Sequence, residues 1–176
     1  RLLEGMTRAG IRPDWMFSFL KDPSQQKVRP WVKVRMPTFG FDDHKTNLVI
    51  RYFSGLSKVR PDFYSPTKPP EMTPEARQAA AKLLSSDFFS CYSCHARGGV
   101  PPPGSPGQWG PDLSLAHDRI RPEFIPEWLA DPQKFTPGVV MPGFLPDDSA
   151  APQEILGGSS QRQAEAIRDY LMNSLR

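Results

Sequence analysis

The chain has 176 residues and a mass of 19.8 kDa, with 22 basic and 19 acidic side chains and a formal net charge of +3. One or two small domains fit that length, and a chain with 38% hydrophobic and 23% charged residues is globular rather than disordered. No stretch reaches the roughly 18 apolar residues of a membrane helix; so mild a charge, without a basic cluster, argues against nucleic acid and suits at most an acidic protein partner.

There are 21 prolines and 13 glycines. Proline is therefore well above its usual ~5%, yet the two together stay below the ~25–30% that marks low-complexity chains. A compact fold with long, stiff loops is expected. The first residue is Arg1 and no signal peptide is visible, the pattern of a processed or trimmed product.

In chain order, Arg12-Pro13-Asp14-Trp15 opens a segment that closes at Leu20-Lys21-Asp22-Pro23, and Met36-Pro37-Thr38-Phe39 follows. A helix is predicted next, capped by Asp42 or Asp43, with Leu48, Val49, Tyr52, Phe53 and Leu56 as its apolar face. Pro61, Pro66, Pro69 and Pro70 then make residues 57–72 a stiff, extended linker.

Thr73-Pro74-Glu75 is a helix start: an N-cap threonine, proline at the first helical position and an acid in the first turn. Ala76, Ala79, Ala80, Leu83 and Leu84 recur at helical spacing, and this helix is predicted to run into Cys91-Tyr92-Ser93-Cys94-His95. That run holds both cysteines of the chain and is the c-type haem attachment signature. On a helix, side chains at i, i+3 and i+4 share one face. Two thiols can then form thioethers to the haem vinyl groups while the imidazole reaches the iron. Competing readings are a redox dithiol, which lacks the expected βαβ context, and a zinc site, which lacks a second cysteine pair and finds His44 and His117 at unhelpful spacings.

A Pro-rich surface loop from Gly98 to Gln108 leads to Trp109-Gly110-Pro111-Asp112-Leu113. Arg121-Pro122 opens a short helix with Phe124, Ile125, Trp128 and Leu129 on one face, closed by Asp131-Pro132. A loop carries Val140-Met141-Pro142-Gly143-Phe144, and a last helix has Ser160 as cap, Gln163 at the capping-box position, and Ala164, Ile167 and Leu171 inward.

Residues 73–176 resemble a class I cytochrome c domain. The resemblance spans the first helix, Cys-x-x-Cys-His, Gly-Pro-x-Leu, Trp-Leu-x-Asp-Pro, Met-Pro-x-Phe and the last helix, in family order. It implies a mainly α fold of short helices around a covalently bound haem c, with long loops. It also implies Cys91 and Cys94 as thioether attachments, His95 and Met141 as axial ligands, and the Pro111 carbonyl as acceptor for the His95 imidazole. Such a bond fixes ring orientation and raises ligand basicity. His117, Met172 and Met72 compete for the sixth position, but the stiff loop of Met141 matches the His/Met arrangement.

The first 60 residues repeat this pattern. Residues 12–15 and 20–23 align with 121–124 and 129–132 at an offset of 109, and Met36-Pro37 aligns with Met141-Pro142 at an offset of 105. Residues 1–60 therefore resemble the back half of a second cytochrome c unit, either cut from a longer dihaem protein or a haem-less remnant packed on the intact domain. A segment this short, loaded with Trp15, Phe17, Phe19, Trp31, Phe39 and Phe53, needs a cofactor or another surface to bury against. Met36 is then a ligand only if a second haem is present. The domains expected are 1–60, a linker over 61–72, and 73–176.

The expected function is electron transfer rather than enzymatic turnover, as a carrier or a subunit of a respiratory or photosynthetic complex. The partners are redox proteins or a membrane oxidoreductase, with membrane attachment open. The location is the bacterial periplasm or the outer face of the cytoplasmic membrane. The alternatives are an open-site haem enzyme or sensor using His117 as its distal group, and a haem-free dithiol oxidoreductase using Cys91 and Cys94.

Overall fold

The computed structural model describes residues 10–25, 28–33, 36–58 and 71–173. The proline-rich linker lies outside the described residues through position 70. The described residues are mainly helical, with isolated bridges in place of sheets. No described helix is long and apolar enough to cross a membrane.

Helix α1, Pro13–Lys21, starts with proline at its first position, where the missing N–H has no intrahelical partner to lose. It buries Trp15, Met16 and Leu20. Helix α2, Asp43–Leu56, is capped by the Asp42 carboxylate, which accepts from Lys45 N at 2.7 Å. Lys21 Nζ meets Asp43 at 2.7 Å and ties the two helices together. The buried line of α2 is Thr46, Ile50 and Ser54, not the predicted apolar face. Short side chains on that line let α1 approach closely, and the Thr46 hydroxyl is satisfied by Asp42 O at 2.8 Å. Val49 and Phe53 are half-buried, while Leu48, Tyr52 and Leu56 stand out in solvent at 51%, 63% and 49% exposure.

Helix α3, Pro74–Leu84, is capped by Thr73, whose hydroxyl accepts from Ala76 N at 3.2 Å. It packs along helix α7, Ser160–Asn173, and this pair builds the main core from Ala80, Leu83, Leu84, Ala164, Ile167 and Leu171. Each fully buried leucine or isoleucine there contributes about 1.5–3 kcal/mol. Three short helices lie between: α4, Ala116–Arg119; α5, Phe124–Ala130; and α6, Pro132–Phe135.

The start of α7 departs from the predicted capping box. Ser159 Oγ accepts from Arg162 N at 3.4 Å, while Ser160 donates its N–H and hydroxyl to Asp148 at 2.8 and 2.7 Å. Gln163 turns inward, where its amide donates to the carbonyls of Pro152 (2.8 Å) and Ile155 (2.7 Å). Each carbonyl also accepts a backbone N–H, Pro152 O from Ile155 N (3.1 Å) and Ile155 O from Gly158 N (3.0 Å), so the Gln163 amide fills a second acceptor position on both.

The N-terminal unit packs on the unit that holds the cysteines. Ile11 and Ile120 form an antiparallel bridge, flanked by Arg12 N–H to Arg119 O and Arg121 N–H to Gly10 O, both 2.8 Å. Positions 10, 11 and 12 are the repeat equivalents of 119, 120 and 121, so each bond is the mirror of the other. Reciprocal contacts of this kind define a local two-fold axis. The side chains obey it too. Arg119 lies over the Trp15 ring at 5.3 Å, and Gly10 abuts Phe124, the repeat equivalent of Trp15. Gly10 is at φ +64° with no room for a Cβ against that ring, so glycine is needed there on both counts. Ile120 touches the small core of Ile11, Trp15, Met16, Leu20 and Ile50 as well as the main one. The aromatic load of the N-terminal unit thus finds partners unevenly: Trp15 is buried and Trp31 meets Trp109 edge to face at 5.4 Å, while Phe39 is half in solvent, stacked on Phe41.

Candidate functional site

The helix preceding the cysteines stops earlier than its sequence pattern predicts. Helix α3 ends at Leu84, and the chain turns through Ser85–Ser90, with Ser90 N donating to Ser85 O at 2.8 Å. Ser90 sits at φ +50°, a left-handed conformation that costs a non-glycine residue. The motif itself occupies a single tight turn, Cys91–Ser93, closed by His95 N to Cys91 O at 2.9 Å. Both cysteines are free thiols, Cys91 half-buried and Cys94 exposed. Burial pushes the Cys91 thiol up to about 11, with Cys94 acting in the same direction. It is protonated at neutral pH, which is the opposite of the lowered pKa of a reactive dithiol.

His95 is held by the segment that follows the Pro-rich loop. Its Nδ1 lies 2.7 Å from Pro111 O. A carbonyl can only accept, so Nδ1 carries the proton and Nε2 presents its lone pair. Gly110 N donates to Cys94 O at 2.7 Å, and Leu113 N donates to Ala96 O at 3.0 Å. These two bonds lay residues 110–113 alongside 94–96. A Cβ on Gly110 would sit 2.5 Å from His95 Cε1 and 2.7 Å from Nδ1, so the ring rests directly on glycine backbone. Burial holds the imidazole below its ordinary pKa, and the Pro111 bond opposes this only in part. His95 is therefore neutral near pH 7, the protonation state of a metal ligand.

Asp112, which the sequence reading left without a role, locks this arrangement. Its carboxylate accepts from Gly98 N (3.0 Å), Gly99 N (2.5 Å), Ser114 N (2.8 Å) and Ser114 Oγ (2.7 Å). Burial alone would raise its pKa, but the bonds from Ser114, Gly99 and Gly98 outweigh it and hold the carboxyl below the usual range. One side chain thereby ties the start of the Pro-rich loop to the residue after Pro111.

Met141 lies half-buried on a loop fastened to α5 and α6. Phe144 N and Leu145 N donate to Leu129 O at 2.8 and 3.1 Å, and Gln133 holds Val139 O and Gly138 N through its side-chain amide. Gly143 fits where a Cβ would meet Ala130 O at 2.5 Å. The Trp128 indole N–H donates to Met141 Sδ at 3.0 Å, which leaves the second sulfur lone pair for another hydrogen-bond donor or a metal ion. The loop and the cysteine segment meet through Phe144 and Phe89, with ring centroids 5.1 Å apart, and Cys91 and Met141 pack against the same core. Val140, next to the sulfur-bearing residue, is 95% exposed.

The other candidates are placed elsewhere. His117 has Nδ1 3.1 Å from Ser114 O and Nε2 2.9 Å from the Asp118 carboxylate, and a neutral ring donates to one of the two. Met172 is a buried core residue on α7, and Met72 packs half-buried against the same core. Met36 is half-buried against the N-terminal core, and His44 is exposed on α2. Among the described residues no three His, Cys, Asp or Glu side chains converge as a metal-chelating group.

The donor set fits a covalently attached haem. Two free thiols stand three residues apart, a neutral imidazole has its Nε2 unengaged above a glycine, and a thioether sits on a fastened loop. Among the described residues, Arg119 Nε, Arg121 Nε and Trp31 Nε1 are buried donors without a hydrogen-bond partner. Comparison with known protein families, curated proteins and solved structures found no match.

Proposed function

We propose that this chain is an electron-transfer protein with one covalently attached c-type haem, in a class I cytochrome c fold, acting as a carrier or as a subunit of a respiratory or photosynthetic complex outside the cytoplasm. The observation that carries the reading is His95 itself. Its Nδ1 proton is committed to Pro111 O at 2.7 Å, and Gly110 supports the ring, so Nε2 is presented to a ligand in one orientation.

When bound, the haem supplies a one-electron ferrous/ferric couple. The chain's own residues supply the rest. Cys91 and Cys94 would anchor the group, His95 and Met141 would supply its nitrogen and sulfur ligands, and Phe89 and Phe144 would keep water from the side they cover. The Trp128 N–H draws density from Met141 Sδ, weakening it as a donor to ferric iron and favouring the ferrous state. Two observations weigh against the alternatives. The high thiol pKa of Cys91 disfavours its use in dithiol exchange, and His117, the candidate distal acid–base group of an open-site enzyme, lies against Ser114 O and Asp118.

Intact mass and a ferrous-minus-ferric spectrum on the protein purified from its native host test the reading. One haem added to the chain mass, with the charge-transfer band of methionine-ligated ferric haem, is the expected result. A high-spin spectrum without that band sinks His/Met ligation, and the absence of any haem absorption sinks the proposal.

A further inference from the structure

Helix α2 has a counterpart inside the chain. Its 14 residues match the 14 of α7 position for position, so that Ile50 and Arg51 fall on Ile167 and Arg168. The caps correspond as well: the Asp42 carboxylate accepts from Lys45 N, and Ser159 Oγ accepts from Arg162 N. So do the buried lines, Thr46, Ile50 and Ser54 against Gln163, Ile167 and Leu171. Helix α1 packs on α2 as α5 packs on α7. The two helices hold equivalent places in their units, so a difference between them at one position is not imposed by the fold.

One strip carries such a difference. Leu48, Tyr52 and Leu56 follow one another at i, i+4 and i+8, all three exposed, on the side of α2 opposite Thr46, Ile50 and Ser54. On α7 the same positions are Glu165, Asp169 and Asn173, and Asp169 pairs with Arg168 at 2.7 Å. Helix α2 keeps that arginine, as Arg51, but has Tyr52 in place of its acid. Arg51 is exposed, and among the described residues it forms no ion pair.

A helix in the place of α3 does not account for the strip, because α7, with α3 packed along it, leaves Glu165, Asp169 and Asn173 outside its buried set. A second copy of the chain fits poorly, because the acids of α2 are engaged within it: Asp42 by Lys45 and Asp43 by Lys21.

We propose that Leu48, Tyr52 and Leu56, with Arg51 at their edge, form a docking strip for an amphipathic helix of another protein, one whose apolar stripe is bordered by carboxylates. Apolar residues one turn apart are what a partner helix reads, and tyrosine and arginine are the side chains that anchor such contacts. The guanidinium fork matches a carboxylate, which takes the place that Asp169 holds beside Arg168 in the internal copy. No residue of the strip belongs to the cysteine-bearing unit, so the proposal stands or falls apart from the haem reading.

The test is binding of two synthetic helical peptides to the full chain, read by fluorescence anisotropy. Each has about 18 residues, enough to be helical alone, with leucines along one face; glutamates border the leucines in one and lysines in the other. The glutamate peptide is expected to bind saturably, and the lysine peptide at least about tenfold more weakly. Arg51→Glu, Tyr52→Ala and Leu48→Gln are each expected to weaken the glutamate peptide about tenfold, with Arg51→Lys losing less than Arg51→Glu. Lys33→Glu, which changes an exposed cation off the strip, is expected to stay within about twofold of wild type. All the replaced side chains are exposed, and melting temperatures equal to wild type show that the fold is kept. No saturable binding of the glutamate peptide overturns the proposal, and so do equal binding of both peptides or equal weakening by Arg51→Glu and Lys33→Glu. Sedimentation that shows a wild-type dimer dissolved by Tyr52→Ala overturns it in favour of a second copy. Binding to phosphatidylglycerol vesicles that Tyr52→Ala abolishes overturns it in favour of a membrane surface.

Discussion

Ile11 and Ile120 pair with each other although 109 positions separate them, and each is the other's counterpart in the sequence repeat. Their flanking backbone bonds, Arg12 to Arg119 and Arg121 to Gly10, are equal in length and reciprocal. The repeat is therefore a packing relation as well as a sequence pattern: the short N-terminal unit buries part of its apolar load, Ile11 and Trp15, at the seam with its own copy.

The seam carries a measurable share of stability. Trp15 is buried, stacks on Phe19 at 4.9 Å and lies under Arg119. Trp15→Ala is expected to cost about 3–5 kcal/mol in denaturant unfolding. Polar replacement of Tyr52, which stands in solvent on α2, is expected to stay within about 0.5 kcal/mol.

Gly110 is expected to tolerate no side chain. Gly110→Ala places a methyl 2.5 Å from the His95 ring, so the imidazole must move off the Pro111 carbonyl. A stability loss of about 1–3 kcal/mol follows from overpacking, together with a weakened low-spin haem spectrum. An alanine variant with an unaltered spectrum and melting temperature contradicts this geometry.

Trp128→Phe keeps a ring but removes the N–H that Met141 Sδ accepts. If the proposed haem is bound, a lost hydrogen bond of about 0.5–1.5 kcal/mol would make the sulfur the better donor to ferric iron, lowering the reduction equilibrium by at most about tenfold. The potential is expected to fall while the methionine charge-transfer band persists. Loss of the band shows instead that the indole is needed to place the loop.

Acid should loosen the haem-free protein in two steps of known sign. His95 is held below its ordinary 6.5, so the unfolded chain binds its proton more readily, and stability declines as pH falls below 6.5. Asp112 is held below 3.8; its contribution is complete above that value and is lost as pH falls further, through its folded pKa. Melting temperatures against pH should show both. Asp112→Asn should diminish the lower step, to which Asp22, Asp42, Asp147 and Asp148 are also held low enough to contribute, and cost about 1–3 kcal/mol at neutral pH, because Gly98 and Gly99 lose a charged acceptor.

Local chemistry made much of the chain legible. Pro13 and Pro74 at first helical positions and the caps Asp42 and Thr73 fix helix starts through short-range bonds that a sequence displays. The contact of His95 with the Pro111 carbonyl is one that the resemblance implies, and the structure holds it at 2.7 Å. What escaped depends on tertiary approach. The face of α2 was misread because small residues, Thr46 and Ser54, line the helix contact, where bulk would have held α1 away. Arg29 acts on Trp109 across 80 positions, and no local pattern marks such a pair. The role of Asp112 was within reach: an acid between Pro111 and a serine two residues on is a common loop-locking arrangement.

The exposure of Val140 bears on where an electron would leave. One apolar residue, about 3.8 Å of chain, separates the Met141 backbone from open water. A partner pressed on that residue would meet an apolar side chain directly beside the one that carries the sulfur.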